Sequence, residues 1–394
     1  PEALPLMYLG KKILVVGDDK QISPEAVGIE RGQVQWLMRE HLNGFIHFDS
    51  FDVESSLFDH GRIRFRNRIT LREHFRCMPE IINFSNDLCY RADPLIPLRQ
   101  YPPDRLDPLR TVYVQTGYRE GSGQRVINRP EAEALARAVE TCCKDERYQG
   151  MSMGVIVLQG EAQAYLIEEL LLGRLGVEEM KKRQLICGNP YSFQGDEREV
   201  IFLSMVAAPT ERIGSLVREA DQRRFNVAAS RAQDQMWLFY SATINDLSQQ
   251  CFRYRLLSYC LNPKSRVAQA LGDEAEALRE RALRANRIIE RPPASFDSWF
   301  EVDVALHIAG RGYRVVPQYE FADKRIDLVI QGTKNQLAVE CDGDAWHGID
   351  DYTADIERQR KLERCGWRFF RVRESAYRAA PEKSLESLWL LLDH

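Results

Sequence analysis

Tyr191-Ser-Phe-Gln-Gly-Asp-Glu197 leads, two residues on, into the apolar run Val200-Ile-Phe-Leu-Ser204. A short apolar run bounded by turn residues reads as a strand buried on both faces, as parallel sheets contain. Outward from it, Gly154-Val-Ile-Val-Leu158, Leu185-Ile-Cys187 and Met236-Trp-Leu-Phe-Tyr240 read as further strands. Helices separate them. One opens at Asn128-Arg-Pro-Glu131, with Asn as the cap and Pro in the first turn. Another follows Arg76, its apolar stripe at Ile81, Ile82, Phe84 and Leu88. Alternating strands and helices imply an α/β fold with a mostly parallel sheet covered on both faces. Upstream, Lys11-Lys-Ile-Leu-Val-Val16 reads as one more buried strand. It would deliver Gly17-Asp-Asp-Lys-Gln21 to its C-terminal end, where such sheets place ligand chemistry.

The last hundred residues carry a different pattern. In Leu337-Ala-Val-Glu-Cys-Asp342, period-two alternation puts Leu337, Val339 and Cys341 on one face and Glu340 and Asp342 on the other. Arg325-Ile-Asp-Leu-Val-Ile330 is a strand interrupted by Asp327, and the Gly-Thr-Lys-Asn segment at 332–335 turns the chain back into a hairpin. Asp327 and Glu340 are therefore expected to meet. Mg²⁺ takes hard oxygen ligands, often one or two carboxylates with several waters, and such an ion both activates water and neutralises charge growing on a phosphate. A helix carrying Glu301 is expected over about 296–309. A second helix, beginning at Asp355 and including Arg358, ends at Gly366 before a strand over 368–372.

Composition sets the frame. The 394 residues are 44% apolar and 28% charged, ordinary for a globular chain of two or three domains. No apolar run approaches the length of a membrane span, and the start lacks a signal-peptide pattern. Nine cysteines show no Cys-x-x-Cys pair or zinc spacing, which points to free thiols in a reducing, cytoplasmic compartment. Net charge is −4, and from residue 297 onward 14 Lys and Arg stand against 18 Asp and Glu, so the acid excess lies in the hairpin module. Nucleic-acid contact must then come from local basic patches. Arg62, Arg64, Arg66 and Arg68 alternate along an expected strand, either as a phosphate-tracking stripe or as a solvated strand face.

The segments around Gln21, Arg76, Gly195–Glu197 and Arg224–Arg231 resemble motifs III to VI of superfamily 1 helicases of the Upf-like and Dna-two-like branch, over about residues 1–259. That resemblance implies a RecA-like motor in which Gln21 senses the γ-phosphate of ATP. It further implies that Arg76 and Arg231 reach that phosphate and that Gly195 and Glu197 bind near the ribose. No Gly-x-x-x-x-Gly-Lys-Ser/Thr loop is found, so the chain is expected to begin near the end of the first motor domain. Alone it should not hydrolyse ATP. The N-terminal motor domain of a parent protein would be its partner.

Residues 296–377 resemble very-short-patch-repair-type endonucleases, of the restriction-endonuclease-like superfamily, through Glu301, Asp327, Glu340-Cys-Asp342-Gly, His347, Asp355, Arg358 and the Leu362 to Gly366-Trp367 spacing. By that resemblance Asp327 and Glu340 hold Mg²⁺ or Mn²⁺, and Glu301 and His347 assist binding or proton transfer. The superfamily's usual lysine, two residues after the glutamate, is here Asp342. Either His347 substitutes for it or the site works slowly.

The expected organisation is the end of a first RecA-like domain over 1–60, a second over 61–245, a helical linker over 246–295 and an endonuclease-like domain over 296–394. The expected function is an ATP-dependent DNA helicase joined to a metal-dependent nuclease, a type of fusion associated with DNA repair or defence. Two alternatives stand beside it: a DNA-docking module whose nuclease-like domain has lost cleavage, and an RNA helicase with an accessory domain.

Overall fold

A computed structural model describes residues 9–22, 30–46, 48, 51, 55–65, 67–101, 105–263, 271, 274–321, 324–331, 336–343, 359–360 and 362–392. Two compact units divide the chain. The first holds 1–72, 80–94 and 108–263, and the second 73–79, 95–107 and 264–394. Strands run in the order β1 (Glu73–His74), β2 (Ile96–Pro97), β3 (Leu109–Tyr113), β4 (Met153–Val157), β5 (Ile186–Gly188), β6 (Arg198–Ser204), β7 (Ala232–Tyr240), β8 (Arg314–Phe321), β9 (Lys324–Gln331), β10 (Gln336–Asp342) and β11 (Arg368–Arg373). The longer helices are α1 (Arg31–His41), α2 (Leu57–Arg64), α3 (Pro79–Leu88), α4 (Arg129–Lys144), α5 (Glu161–Lys182), α6 (Glu219–Ala229), α7 (Phe252–Leu261), α8 (Glu274–Arg284) and α9 (Trp299–Gly310).

The first unit is built on a five-stranded sheet, order β3-β7-β6-β4-β5, in which every neighbouring pair is parallel. β6 lies at its centre, with Val200, Ile201, Phe202 and Leu203 fully buried. Helices cover both faces of such a strand, so it tolerates no polar side and reads as an unbroken apolar run. α4 begins where Asn128 accepts a hydrogen bond from the Glu131 amide at 3.2 Å, with Pro130 in the first turn. The parallel α/β fold expected from the sequence is what the chain adopts.

Two local expectations fail. Residues 11–16 join no sheet among the described residues, and Leu14 and Val16 lie exposed. A strand needs a neighbour to take its backbone hydrogen bonds, and none runs beside this one among the described residues. The arginine-rich stretch from Gly61 is no strand either, because α2 runs through Arg64. Ser56 caps that helix by accepting from Asp59 N while Asp59 accepts from Ser56 N, a capping box that starts the helix and commits the following turn. The stretch over 246–295, expected to be helical, holds α7 and α8 among the described residues.

The second unit carries a four-stranded sheet, order β11-β10-β9-β8, with β8, β9 and β10 antiparallel and β11 added parallel to β10. Each face has its own core. Leu328, Leu337 and Val339 pack with Phe300 and Val304 of α9 on one side, with Cys341 packed partly against them. Ile326, Val329 and Ala338 pack with Leu362 and Trp367 on the other. Gly366 ends the helical turn before β11 at φ +87°, a conformation that glycine adopts without steric cost.

Candidate functional site

The β9–β10 pairing runs as far as Leu328 with Val339, and Asp327 and Glu340 are the next residues along the two strands. Residues directly opposite in an antiparallel pair have neighbouring side chains on one face. There the backbone ladder gives way to a side chain: the Cys341 amide donates to Asp327 Oδ2 at 2.8 Å. Glu340 is only 7% exposed. Burial, then the carboxylates of Asp327, Glu301, Glu340 and Asp342, raise the pKa of the Cys341 thiol well above its usual value. Four acids thus act on one point in this unit, and the thiol among them stays neutral.

Glu301 reaches that neighbourhood from α9. It stands three residues after the cap Ser298, whose hydroxyl accepts from Glu301 N at 3.1 Å. The Glu301 carboxylate accepts from Ser298 Oγ, from the Asp297 amide and, at 2.6 Å, from Gln318 Nε2. It is fixed by three donors. Gln318 lies on β8 at φ +48°, uncommon and strained for a residue with a side chain. The pairs Pro317↔Leu328 and Tyr319↔Ile326 set it across from Asp327. Its Oε1 is buried with no hydrogen-bond partner. Gln318 and Asp327 therefore stand side by side on β8 and β9, with Glu340 one residue beyond the last β9–β10 pair.

Asp342 does not stand as a lone acid. Arg371 of β11 grips it with two hydrogen bonds, Nε to Oδ2 at 3.1 Å and Nη2 to Oδ1 at 2.9 Å. Arg371 is also the register partner of Glu340. Where the sequence lacks a lysine on β10, the neighbouring strand supplies a cation.

In the first unit, Gln21 Nε2 donates to Asp18 at 3.2 Å, and Tyr90 OH donates to the same carboxylate at 2.7 Å. Asn226 of α6 donates to Lys20 O and to Tyr90 OH, and Gln194 Nε2 donates to Ile22 O at 3.2 Å. These bonds dock the 18–22 loop on α6 and on the turn at 191–195. Gln21, Gln194, Arg223 and Asp59 line a cavity of about 420 Å³ beside it. Gly195 sits in that turn at φ +85° with open space where a Cβ would stand. Glu197 accepts from Gln233 at 2.6 Å, and Arg231, 2% exposed, donates to the carbonyls of Val227 and Asp196 at 3.2 Å each. Gln21, Gly195, Glu197 and Arg231 thus bracket a single turn. Arg76 falls in the second unit, where its carbonyl accepts from Arg99 at 2.7 Å.

A family model described as an AAA domain, AAA_12, matches residues 53–243, and the REase_MTES_1575 model matches residues 300–392. This chain joins a helicase-type AAA domain to a restriction-endonuclease-like domain. An uncharacterized ATP-dependent helicase of Mycoplasma pneumoniae is 25% identical over 62% of this chain and 22% of its own length. The 5'-3' DNA helicase ZGRF1 of Mus musculus is 28% identical over 57% of this chain and 11% of its own. For regulator of nonsense transcripts 1 of Dictyostelium discoideum the values are 26%, 69% and 20%. The chain thus spans less than a third of the length of these curated relatives.

Within the AAA domain the expected arginine stripe dissolves. Arg62 pairs with Asp19 at 2.8 Å, whereas Arg64 turns to His60 Nδ1 at 2.9 Å and lies over the Phe51 ring. Although burial opposes it, Lys20 and Arg62 hold the Asp19 carboxyl below its usual range. Arg66 lies outside the described residues, as do His347, Asp355 and Arg358 of the nuclease-like domain. Two residues of that domain were missed in the sequence. Arg371 is visible only through the β10–β11 register, and Gln318 only through its backbone and its bond to Glu301. Ser298-x-x-Glu301 was legible as a capping pattern.

Proposed function

We propose that the nuclease-like domain cleaves DNA with a divalent metal held by Asp327 and Glu340, and that the AAA domain forms part of the ATP-driven motor that presents the DNA. The observation that supports this reading is the hydrogen bond from the Cys341 amide to Asp327 Oδ2, which brings Asp327 to the strand end that carries Glu340, in a domain of the restriction-endonuclease-like type. Their donors are hard oxygens, which suit Mg²⁺ or Mn²⁺. Among the described residues no three His, Cys, Asp or Glu side chains form a metal cage. When bound, such an ion supplies a Lewis acid for the scissile phosphate. This chain's own residues do the rest: the Gln318–Glu301 hydrogen bond ties β8 to the start of α9 beside the acids, and Arg371 offsets the Asp342 charge.

In the motor reading, Gln21, Arg76, Gly195, Glu197 and Arg231 serve ATP. Arg231 would exchange the carbonyls of Val227 and Asp196 for phosphoryl oxygens, a step suited to a site that closes on its nucleotide. The division proposed is motor residues over 1–245, a linker over 246–295 and the nuclease over 296–394. Among the described residues no helix is long and apolar enough to cross a membrane.

The reading is tested by incubating the chain with supercoiled plasmid in Mg²⁺ or Mn²⁺. Nicking that EDTA stops is expected; DNA binding without nicking in either metal would favour the second reading, a docking module that has lost cleavage. Asp342 at the lysine position is the feature behind that alternative. Arg371→Ala sharpens the test. With its arginine gone, Asp342 adds an uncompensated negative charge beside Glu340, and initial nicking rates should fall on the order of tenfold.

A further inference from the structure

Residues 95–107 lie inside the stretch matched by the AAA_12 model, yet they fold into the second unit, with the nuclease-like sheet. β2 opens this segment, paired in parallel with β1, and Leu98 N extends the ladder to His74 O at 2.8 Å. Leu98, 3% exposed, shares a core with Val316, Val329, Ala338 and Trp367. Three hydrogen bonds follow at the next residues. Gln100 Nε2 donates to Cys365 O at 3.3 Å, Gln336 Nε2 donates to Tyr101 O at 3.0 Å, and Tyr319 OH donates to Tyr101 OH at 3.3 Å. A strap of helicase-type sequence thus meets β8, β9, β10 and the turn that leads into β11.

Its hold on β10 bears on the candidate metal site. Side chains alternate along a strand, so Gln336, Ala338 and Glu340 share one face of β10. The first donates to the strap, the second shares its core with Leu98, and the third carries a carboxylate assigned to the metal. A slip of β10 by one residue would turn Glu340 to the opposite face and put its neighbour in its place. Gln336, 5% exposed, could not follow such a slip without giving up its bond to the Tyr101 carbonyl. A buried amide that loses its acceptor is costly, so the bond opposes the slip.

We propose that Leu98 and Gln336 are positioning residues for the metal site: the strap over 95–101 fixes the register of β10 and thereby places Glu340. The effect on metal and cleavage rests on the nuclease reading; the packing does not. The test uses the full chain, with Leu98→Ala and Gln336→Met variants. One arm follows amide hydrogen exchange by mass spectrometry. In both variants the amides of β10 should exchange about tenfold faster, while those of β6 and β7 in the AAA sheet keep wild-type rates. The other arm measures plasmid nicking against Mg²⁺ concentration, well below the variants' thermal midpoints. Gln336→Met keeps the length of the side chain and loses its bond. It should raise the Mg²⁺ concentration for half-maximal nicking about tenfold and change the rate at saturating Mg²⁺ by about threefold or less, because misplacing a ligand weakens the site before it alters the chemistry.

A β10 whose exchange rises no more than that of β6 and β7 overturns the strap. A lowered thermal midpoint with a wild-type Mg²⁺ half-point shows packing alone and overturns the positioning role. Where the wild type gains thermal stability from Mg²⁺ without nicking, the Mg²⁺ concentration for half of that gain takes the place of the nicking half-point. A wild type that does neither counts against the nuclease reading, and the exchange arm then decides the strap by itself. If Leu98→Ala fails to fold, Gln336→Met decides both arms.

Discussion

Asp327→Asn is expected to remove metal-dependent nicking by a factor on the order of 100 or more while leaving the fold in place. Asparagine keeps an acceptor for the Cys341 amide, which Asp327 Oδ2 now binds at 2.8 Å, and loses only the charge. Asp327→Ala would lose that hydrogen bond as well, at about 1 kcal/mol. Glu340→Gln separates the metal role from a merely structural one. Two opposed carboxylates repel each other in the metal-free chain, and Glu340 is nearly buried, so the variant should be at least as stable as wild type in EDTA. Adding Mg²⁺ should then stabilise wild type, by about 2.7 kcal/mol at a hundred times its dissociation constant, and leave the variant unmoved. Thermal melts with and without Mg²⁺ read this independently of cleavage. Full nicking rates in both variants would sink the assignment.

The sequence was most readable where one physical force acted alone. β6 is apolar because both faces are covered, and α4 starts where Asn128 caps it, so neither needed tertiary context. The antiparallel pairing of β9 and β10 followed from alternation, which brings Asp327 and Glu340 to the same end of the pair. Legibility ended where local and distant effects competed. Arg62 to Arg68 alternate like a strand, yet the Ser56–Asp59 capping box lies upstream and wins, sending Arg62 to Asp19 and Arg64 to His60. The apolar run 13–16 has strand composition but no partner beside it among the described residues. Arg371 meets Asp342 across a parallel pairing 29 residues apart, and only the register reveals it. Gln318 carries no sequence sign of its positive φ.

Glu131 gives the AAA domain a strong dependence of stability on pH. This carboxyl is fully buried at the start of α4, and burial pushes its pKa up to about 7 from 4.5. Its Oε1 accepts from Ser204 Oγ at 2.7 Å and Val206 N at 2.8 Å, and its Oε2 from Ser241 Oγ at 3.0 Å and Asn128 Nδ2 at 3.3 Å. These bonds favour the ionised form but do not cancel the cost of burying it. Because the folded pKa is the higher one, the folded chain keeps a proton that the unfolded chain releases between pH 4.5 and 7. Stability from this group is therefore present at low pH and lost as pH rises through that window, by about 3 kcal/mol in all. About 2 kcal/mol of that should fall between pH 5.5 and 8.

Glu131→Gln removes the titration and mismatches one contact, Asn128 Nδ2, so wild type minus variant stability should decline by that amount across the range. Unfolding curves of both proteins at several pH values measure it, and a pH-independent difference would refute the assignment. Glu131 also accepts from the amide of Val206, which sits at the strained φ of +65°, and Glu131→Gln keeps an acceptor for that turn at Oε1.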